Sequence, residues 1–342
     1  MSFMNTNIKH MAIVRLSALG DIINSAIVLQ FLHDNFADIK IDWITEEMFA
    51  PILEGHPLIN KVHTVNIKKL KKERSFSLLM QTIKELKSFG EYDLIIDIQG
   101  LIKSAIVSRL LGKNTHGFDK NSTRESLASL FYKTTSSIPY ESNVVKRNSF
   151  VVADALGFSL HDNMILNKTP IFPVNQHFEL RSDKKNIALV IGASWESKIY
   201  PKELMVQVCE ELQEQCYIIW GNEKEKQDAE WICEHSSYAT LSPKLTLSEL
   251  VSFISQMDLT LGNDTGPTHI AWAQNIASIT LFGPTNSRMM YETPKNIALK
   301  SPSKVNLLKI NKNDFSIREI KVDTIVTQAK KLLNKEFLNN GI

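Results

Sequence analysis

Residues 11–32 read MAIVRLSALGDIINSAIVLQFL, and this stretch decides the fold. Met11–Leu16 is a β-rich run whose Ala12, Ile13 and Val14 are apolar on successive positions, as a strand requires when helices cover both of its faces. The turn Ser17-Ala18-Leu19-Gly20-Asp21 follows directly, and Ile22–Leu32 then carries apolar residues at helical spacing. A buried strand feeding straight into a helix is the opening of a βαβ unit, so the chain begins an α/β layer.

The same rhythm recurs outward from this point. Strands are expected at Lys40–Thr45 and Leu94–Ile98 in the first half, and at Ile187–Ile191, Tyr217–Trp220, Leu259–Gly262 and Ser278–Phe282 in the second. Between Ile165 and Lys185 the periodicity lapses into Pro170, Pro173, Asn175 and a charged stretch, the composition of a domain boundary. We therefore expect an N-terminal domain over 1–170, a second over 186–320 and a closing helix within 321–342, whose apolar Ile325, Val326, Ala329 and Leu332–Leu333 share one helical face. Both domains should be doubly wound, with ligands at the carboxyl ends of their strands in a cleft between them.

Composition narrows the function. The 342 residues are 43% apolar and 22% charged, which suits two ordinary cores and excludes a disordered or fibrous chain. With 39 Lys plus Arg against 37 Asp plus Glu the net charge is +2, so no whole-molecule field exists for gripping nucleic acid. Any anionic ligand must be held locally. The three cysteines, Cys209, Cys216 and Cys233, lack CxxC spacing, which points to reduced, mostly buried thiols rather than a disulfide framework or a zinc cluster. No apolar run is long enough to span a bilayer, and the polar start Met1–His10 lacks the plan of a secretion signal, so a cytoplasmic chain is expected.

Four strand-end motifs carry candidate chemistry. In the first, Gly20 permits a tight turn and Asp21 sits at the helix entrance, either as a helix cap or as a general base. The motif is not GxGxxG, which argues against a dinucleotide oxidoreductase. In the second, Gly262-Asn263-Asp264-Thr265-Gly266-Pro267-Thr268-His269, carboxylate, hydroxyl, glycine and histidine converge on one helix start. Free backbone N–H groups there favour an anion, although Asp264 or Thr265 as a bare cap explains the same residue types. The third, Ala193-Ser194-Trp195-Glu196-Ser197-Lys198, offers Lys198 to a diphosphate. The fourth, Trp220-Gly221-Asn222-Glu223-Lys224-Glu225, offers carboxylates to ribose hydroxyls, or merely first-turn charges to a solvated helix.

Taken together these motifs resemble the family 9 glycosyltransferases, which transfer heptose into the lipopolysaccharide inner core, and the resemblance runs over nearly the whole chain. Gln99-Gly100-Leu101-Ile102-Lys103-Ser104-Ala105, Thr123-Arg124-Glu125 and Leu127-Ala128-Ser129-Leu130-Phe131-Tyr132 look particularly like members of that family. The resemblance implies a GT-B fold of two Rossmann-like domains, ADP-L-glycero-D-manno-heptose as donor and Kdo-lipid A as acceptor. It implies Asp21 as general base, and Ser194, Lys198, Glu225, Asp264, Thr265, Gly266 and His269 around the donor. Ser17, Gly20, Lys103 and Arg124 fall on the acceptor side. The chain departs from the family pattern at Ala18, where many relatives have a second serine, at Ile27, where a helix proline is usual, and at Ala193, which replaces a threonine.

No Asp-x-Asp tripeptide occurs in the chain, so a leaving group stabilised by protein cations and dipoles is expected, with no obligatory metal or cofactor. A lipid acceptor brings the chain to the cytoplasmic face of the inner membrane as a peripheral protein. Lys68, Lys69, Lys71, Lys72 and Arg74, followed by Phe76 and Leu78–Leu79, are the candidate contact with anionic headgroups, or else a solvated face. Two other readings stay open at this level: a related transferase with another heptosyl acceptor or nucleotide sugar, and a silent sugar-nucleotide-binding protein in which Asp21 is only a cap.

Overall fold

The computed structural model describes residues 8–335. They form two compact units that divide between Ile171 and Phe172. Twelve strands appear in chain order: β1 His10–Val14, β2 Lys40–Glu46, β3 Lys61–Val65, β4 Leu94–Asp97, β5 Thr115–Phe118, β6 Thr134–Ser136, β7 Asn186–Val190, β8 Gln215–Ile219, β9 Ala239–Leu241, β10 Leu259–Asn263, β11 Ala277–Phe282 and β12 Asn296–Lys300.

In the first unit the strand order is β3-β2-β1-β4-β5-β6, and every neighbouring pair is parallel. The second repeats that plan, β12-β11-β10-β7-β8-β9, again all parallel. Counted from the start of each unit, both sheets have the doubly wound order 3-2-1-4-5-6. The α/β expectation of two Rossmann-like units is borne out. In each, the order reverses between the first and fourth strands, β1 and β4 in one case and β7 and β10 in the other. Connections leave those two strands in opposite directions, which opens a crevice at their carboxyl ends.

The central strands are legible because they are fully enclosed. Met11, Ala12, Ile13 and Val14 of β1 and Leu94, Ile95 and Ile96 of β4 have no exposed surface, and β7 is buried throughout. The sequence reading lacked β3, β5, β6, β9 and β12, of which β6 and β9 are three residues long. The predicted helix Ile22–Leu32 is two helices, Leu19–Ser25 and Val28–Asn35, separated by a turn at Ala26–Ile27.

The closing helix runs Val322–Leu333 and belongs to the second unit. Ile325, Val326, Ala329, Leu332 and Leu333 enter that unit's core, beside the helix Lys202–Leu212. Residues 336–342 of the predicted closing segment, and 1–7 at the start, lie outside the described residues. Cys209 and Cys216 are buried and Cys233 is half-buried. Among the described residues no helix is long and apolar enough to cross a membrane.

Candidate functional site

Each unit carries its candidate residues at its own reversal point. In the first, the chain leaves β1 through Arg15, Leu16 and Ser17 and enters the helix Leu19–Ser25, placing Asp21 in the first helical turn. Arg15 donates from Nη2 to Asp21 Oδ1 at 2.9 Å and from Nη1 to the Ile98 carbonyl at 2.6 Å. Asp21 Oδ2 accepts from the Ala18 N–H at 3.3 Å, the carboxylate half of a capping box. The two readings of Asp21 are thus joined: the carboxylate caps weakly, is held by a buried guanidinium, and keeps 23% of its side chain exposed.

The turn after β4 completes this group. Gln99 Oε1 accepts from the Leu16 N–H at 2.7 Å, and Lys103 Nζ donates to Ser17 Oγ at 2.8 Å. The turn is fixed by Asp97, fully buried at the end of β4, which accepts from the Gln99 and Gly100 N–H groups and from Tyr132 Oη. Burial pushes the Asp97 carboxyl up, against the hydrogen bonds from Ser104, Tyr132 and the two N–H groups. Gly100 adopts φ +68°, and a Cβ there would lie 2.7 Å from Phe118 Cδ2, so glycine is required on both counts.

Lys103 is half-buried; burial lowers its ammonium, Glu46 opposes that, and Lys71, Arg15 and Lys68 add to it. Three further cations therefore act on the ammonium that meets Ser17. One sequence expectation needs correction here. Gly20 lies within the helix and is absent from the left-handed glycines, so the turn does not demand it; Gly100 is the glycine with that role. Arg124 is half exposed, and its guanidinium lies 3.9 Å from Glu125, which accepts from the Ile102 N–H at the start of the helix Ile102–Leu111 that carries Lys103.

In the second unit Asp264 follows β10 and is buried. Its carboxylate receives Lys198 Nζ at 2.8 Å, His269 Nε2 at 3.1 Å and Thr285 Oγ1 at 2.7 Å. Burial alone would raise this carboxyl, but the Lys198 ammonium and His269 hold it well below the usual carboxylate range. The capping reading of Asp264 is overturned, because its oxygens are spent on three side chains. Thr265 is the N-cap position of the helix Gly266–Ala273, with no side-chain cap bond, and Pro267 occupies its first turn. The N–H groups of that turn point along the helix start, where an anion is favoured.

Lys198 is positioned from two sides. Asn263, the last residue of β10, donates to the Ile191 carbonyl at 2.8 Å and accepts from the Tyr200 N–H at 3.0 Å, so it ties down the loop after β7 that carries Lys198. Trp195 lies beneath the ammonium, 5.2 Å from its ring centre. Ser194 is exposed on the same loop. Glu225 accepts from the Gly221 N–H at 2.8 Å and lies against Gly192, where any Cβ would collide with its carboxylate. Glu225 thus bridges the turns that follow β7 and β8, while Asn222 supplies the helix cap by accepting from the Glu225 N–H at 3.0 Å.

Sequence reasoning missed Arg15, Asp97, Gly192 and Thr285. Arg15 carried a faint signal, a cation closing an otherwise apolar strand; the others are joined to their partners only by tertiary contact. Among the described residues no three His, Cys, Asp or Glu side chains come together as a metal site.

Residues 79–316 match the model of glycosyltransferase family 9, described as heptosyltransferase. Lipopolysaccharide heptosyltransferase 1 of Campylobacter coli is 38% identical over 95% of this chain and 99% of its own length. Its Escherichia coli K12 namesake is 30% identical over 87% of this chain and 95% of its own. Among solved structures, E. coli heptosyltransferase WaaC with ADP-2-deoxy-2-fluoro heptose superposes with a TM-score of 0.77 at 23% identity, covering 94% of this chain and 99% of that one. E. coli ADP-heptose lps heptosyltransferase II gives 0.69 at 18% identity, covering 96% and 99%. These structural likenesses establish the shared GT-B fold.

Proposed function

The chain belongs to glycosyltransferase family 9, and on that premise we propose that it moves L-glycero-D-manno-heptose from ADP-heptose to the Kdo of Kdo-lipid A, with inversion at the anomeric carbon. The observation that carries this reading is the likeness to lipopolysaccharide heptosyltransferase 1 relatives along almost the entire chain. The polar groups at the two reversal points supply the chemistry that such a transfer needs.

The first unit takes the acceptor role. Ser17, with Lys103 on its hydroxyl, and the cations that act on Lys103 suit an acceptor rich in carboxylates and phosphates. Gly20 and Arg124 are further acceptor-side residues. Asp21 is the general base. Arg15 occupies Oδ1, and Oδ2, whose partner is the long contact from Ala18, is the oxygen that takes the proton. As the Kdo hydroxyl loses that proton, its oxygen forms the new bond to the anomeric carbon. The bond from that carbon to the diphosphate oxygen breaks, and its electron pair leaves with ADP through an oxocarbenium-like transition state. A positioned base contributes on the order of 10²–10⁴ in rate.

The second unit takes the donor role. Lys198 and the N–H groups at Gly266 stabilise the charge that grows on the diphosphate. Asp264 holds Lys198 and His269 in place, Thr265 and Ser194 offer hydroxyls, and Glu225 binds the ribose. The chain acts as a peripheral protein at the cytoplasmic face of the membrane that holds its lipid acceptor, and neither nucleic acid nor a cofactor enters the reaction.

Incubating the purified protein with ADP-heptose and Kdo-lipid A, then recording product mass and anomeric configuration, tests the proposal. A gain of one heptose with inverted configuration is expected. Transfer only to an already heptosylated acceptor, or no transfer with ADP-heptose bound, contradicts it.

A further inference from the structure

Eleven large apolar side chains are exposed among the described residues, and six of them lie on three elements that pack side by side: Phe76, Leu79 and Met80 on the helix Phe76–Lys87, Ile106 on the helix Ile102–Leu111, and Leu127 and Leu130 on the 3-10 turn Ser126–Phe131. Phe76, Leu79 and Met80 are spaced three and four residues apart, one exposed stripe at the start of the helix. Phe76 is 77% exposed and Leu130 78% exposed, values unusual for such side chains in a finished surface.

Topology puts Phe76 and Leu127 at one rim, with the other four on the side below it. In a parallel sheet each connection leaves from a strand's carboxyl end. The helix Phe76–Lys87 leads back into β4, so Phe76, at its start, stands at the carboxyl ends of the strands. The turn Ser126–Phe131 follows β5 and runs down the side of the unit, from Glu125 at that same end, where it meets the Ile102 N–H, to Phe131, whose carbonyl accepts from Thr115 Oγ1 at the start of β5, so Leu127 stands at the rim and Leu130 below it. The rim is also the end occupied by Ser17, Asp21 and Lys103.

The rim is basic as well as apolar. The helix Ile67–Glu73 has no buried residue, and Lys68, Lys69, Lys71, Lys72 and Arg74 lie within or just after it, with Glu73 their only acidic neighbour in that run. Glu46, held by the Ile67 and Lys68 N–H groups, anchors the start of this helix beside Lys103. Arg74 takes φ +47° and turns the chain directly into the apolar stripe. Cations next to exposed apolar side chains, on a chain whose net charge is only +2, match an anionic bilayer interface, where ammonium groups meet phosphates and the apolar groups enter the acyl boundary. A second copy of the chain offers no such complement, since it would bring the same basic rim against itself.

We propose that this rim of the first unit, the helix pair 67–87 together with the turn Ser126–Phe131, is a docking surface for anionic phospholipid, which holds the acceptor side against the bilayer. The sequence reading placed Leu78 in this contact; the structure turns Leu78 inward and presents Phe76, Leu79 and Met80. The proposal deepens the lipid-acceptor reading above, and its test separates the two.

Full-length protein, without donor or acceptor, is floated with vesicles of equal parts phosphatidylglycerol and phosphatidylethanolamine, and with vesicles of phosphatidylcholine. We expect flotation with the anionic vesicles alone, reduced by high salt. The variants F76S/L79S/M80S and L127S/L130S should each lower the bound fraction about tenfold or more, given the apolar area each removes. Transfer to an acceptor stripped of its acyl chains should match the parent in both variants. Equal flotation with phosphatidylcholine, or parent-like flotation by both variants, overturns the docking surface. Selective flotation by a protein that fails to heptosylate either acceptor leaves the surface standing and removes the function proposed above.

Discussion

Arg15 and Asp21, six residues apart, form an ion pair of 2.9 Å in which the arginine is 6% exposed and is itself fixed to the Ile98 carbonyl. The carboxylate at the head of the first helix is therefore aimed by a buried cation at the exit of β1. Its rotamer is set before any acceptor arrives, a preorganisation that a solvated cap would lack.

Removing the guanidinium should disorder that aim. Arg15→Ala is expected to lower kcat by about 10- to 100-fold while leaving the KM for ADP-heptose within a factor of about three. Arg15→Lys should recover part of the rate, since it restores the charge but not the two-point hold. Steady-state kinetics of the two variants check this; an Arg15→Ala enzyme with parental kcat would make the pair a structural ornament.

Lys198 and Asp264 make the corresponding buried pair in the second unit, 2.8 Å apart. Asp264→Ala leaves the ammonium and His269 without their shared partner, so the cost in stability should be about 3–5 kcal/mol. Lys198→Met and the double variant should not add, because each single change already breaks the pair. Urea unfolding of all three variants measures the coupling, and calorimetric titration with ADP should show weakened binding for Lys198→Met. Strict additivity of the unfolding energies would argue that the pair is unlinked.

Gly192→Ala tests the packing beneath Glu225. A methyl group there displaces the carboxylate from the Gly221 N–H. We expect about tenfold weaker ADP binding, a loss of roughly one charge-assisted hydrogen bond, with little change in melting temperature. Unchanged ADP affinity would remove Glu225 from the donor site.

His116 gives the first unit a measurable pH dependence. Burial pushes its imidazole down to about 4, against the pull of the Asp154 carboxylate, while both ring nitrogens meet hydroxyls, Thr134 Oγ1 at 2.8 Å and Ser136 Oγ at 2.7 Å. An unfolded chain takes up this proton below its ordinary value of about 6.5, before the folded chain does. The contribution is therefore present above that value and is lost as pH falls toward 4, in total about 3 kcal/mol. Urea unfolding from pH 7 to 4 should show a steeper loss for the parent than for His116→Gln, and parallel curves would exclude this histidine as the cause.

The fold was legible where burial writes it into composition. β1, β4 and β7 lie between helices, so their residues are apolar in succession, and they hold the reversal points that matter most. β3 exposes Lys61 and Thr64 and buries His63 and Val65, so its apolar residues follow no period, and β6 and β9 span only three residues each, too few for a period to register. The site follows the same logic. Asp21, Lys198, Glu225 and Asp264 stand in strand-to-helix turns, where a polar residue is conspicuous. Thr285 reaches Asp264 across twenty-one residues, and Gly192 matters only because Glu225 folds over it. Contacts of that kind are made by the tertiary structure and leave no local pattern. Gly20 shows the converse error, since a glycine beside a turn invites a conformational explanation that the helix does not need.

Asp21→Asn isolates the central claim, because the amide keeps the size of the side chain and removes its basicity. ADP-heptose binding by titration calorimetry and single-turnover transfer to Kdo-lipid A, measured on the same preparation, should give a parental Kd and a transfer rate lowered by about 10²-fold or more. Parental transfer by this variant would show that another group accepts the proton and would contradict the account.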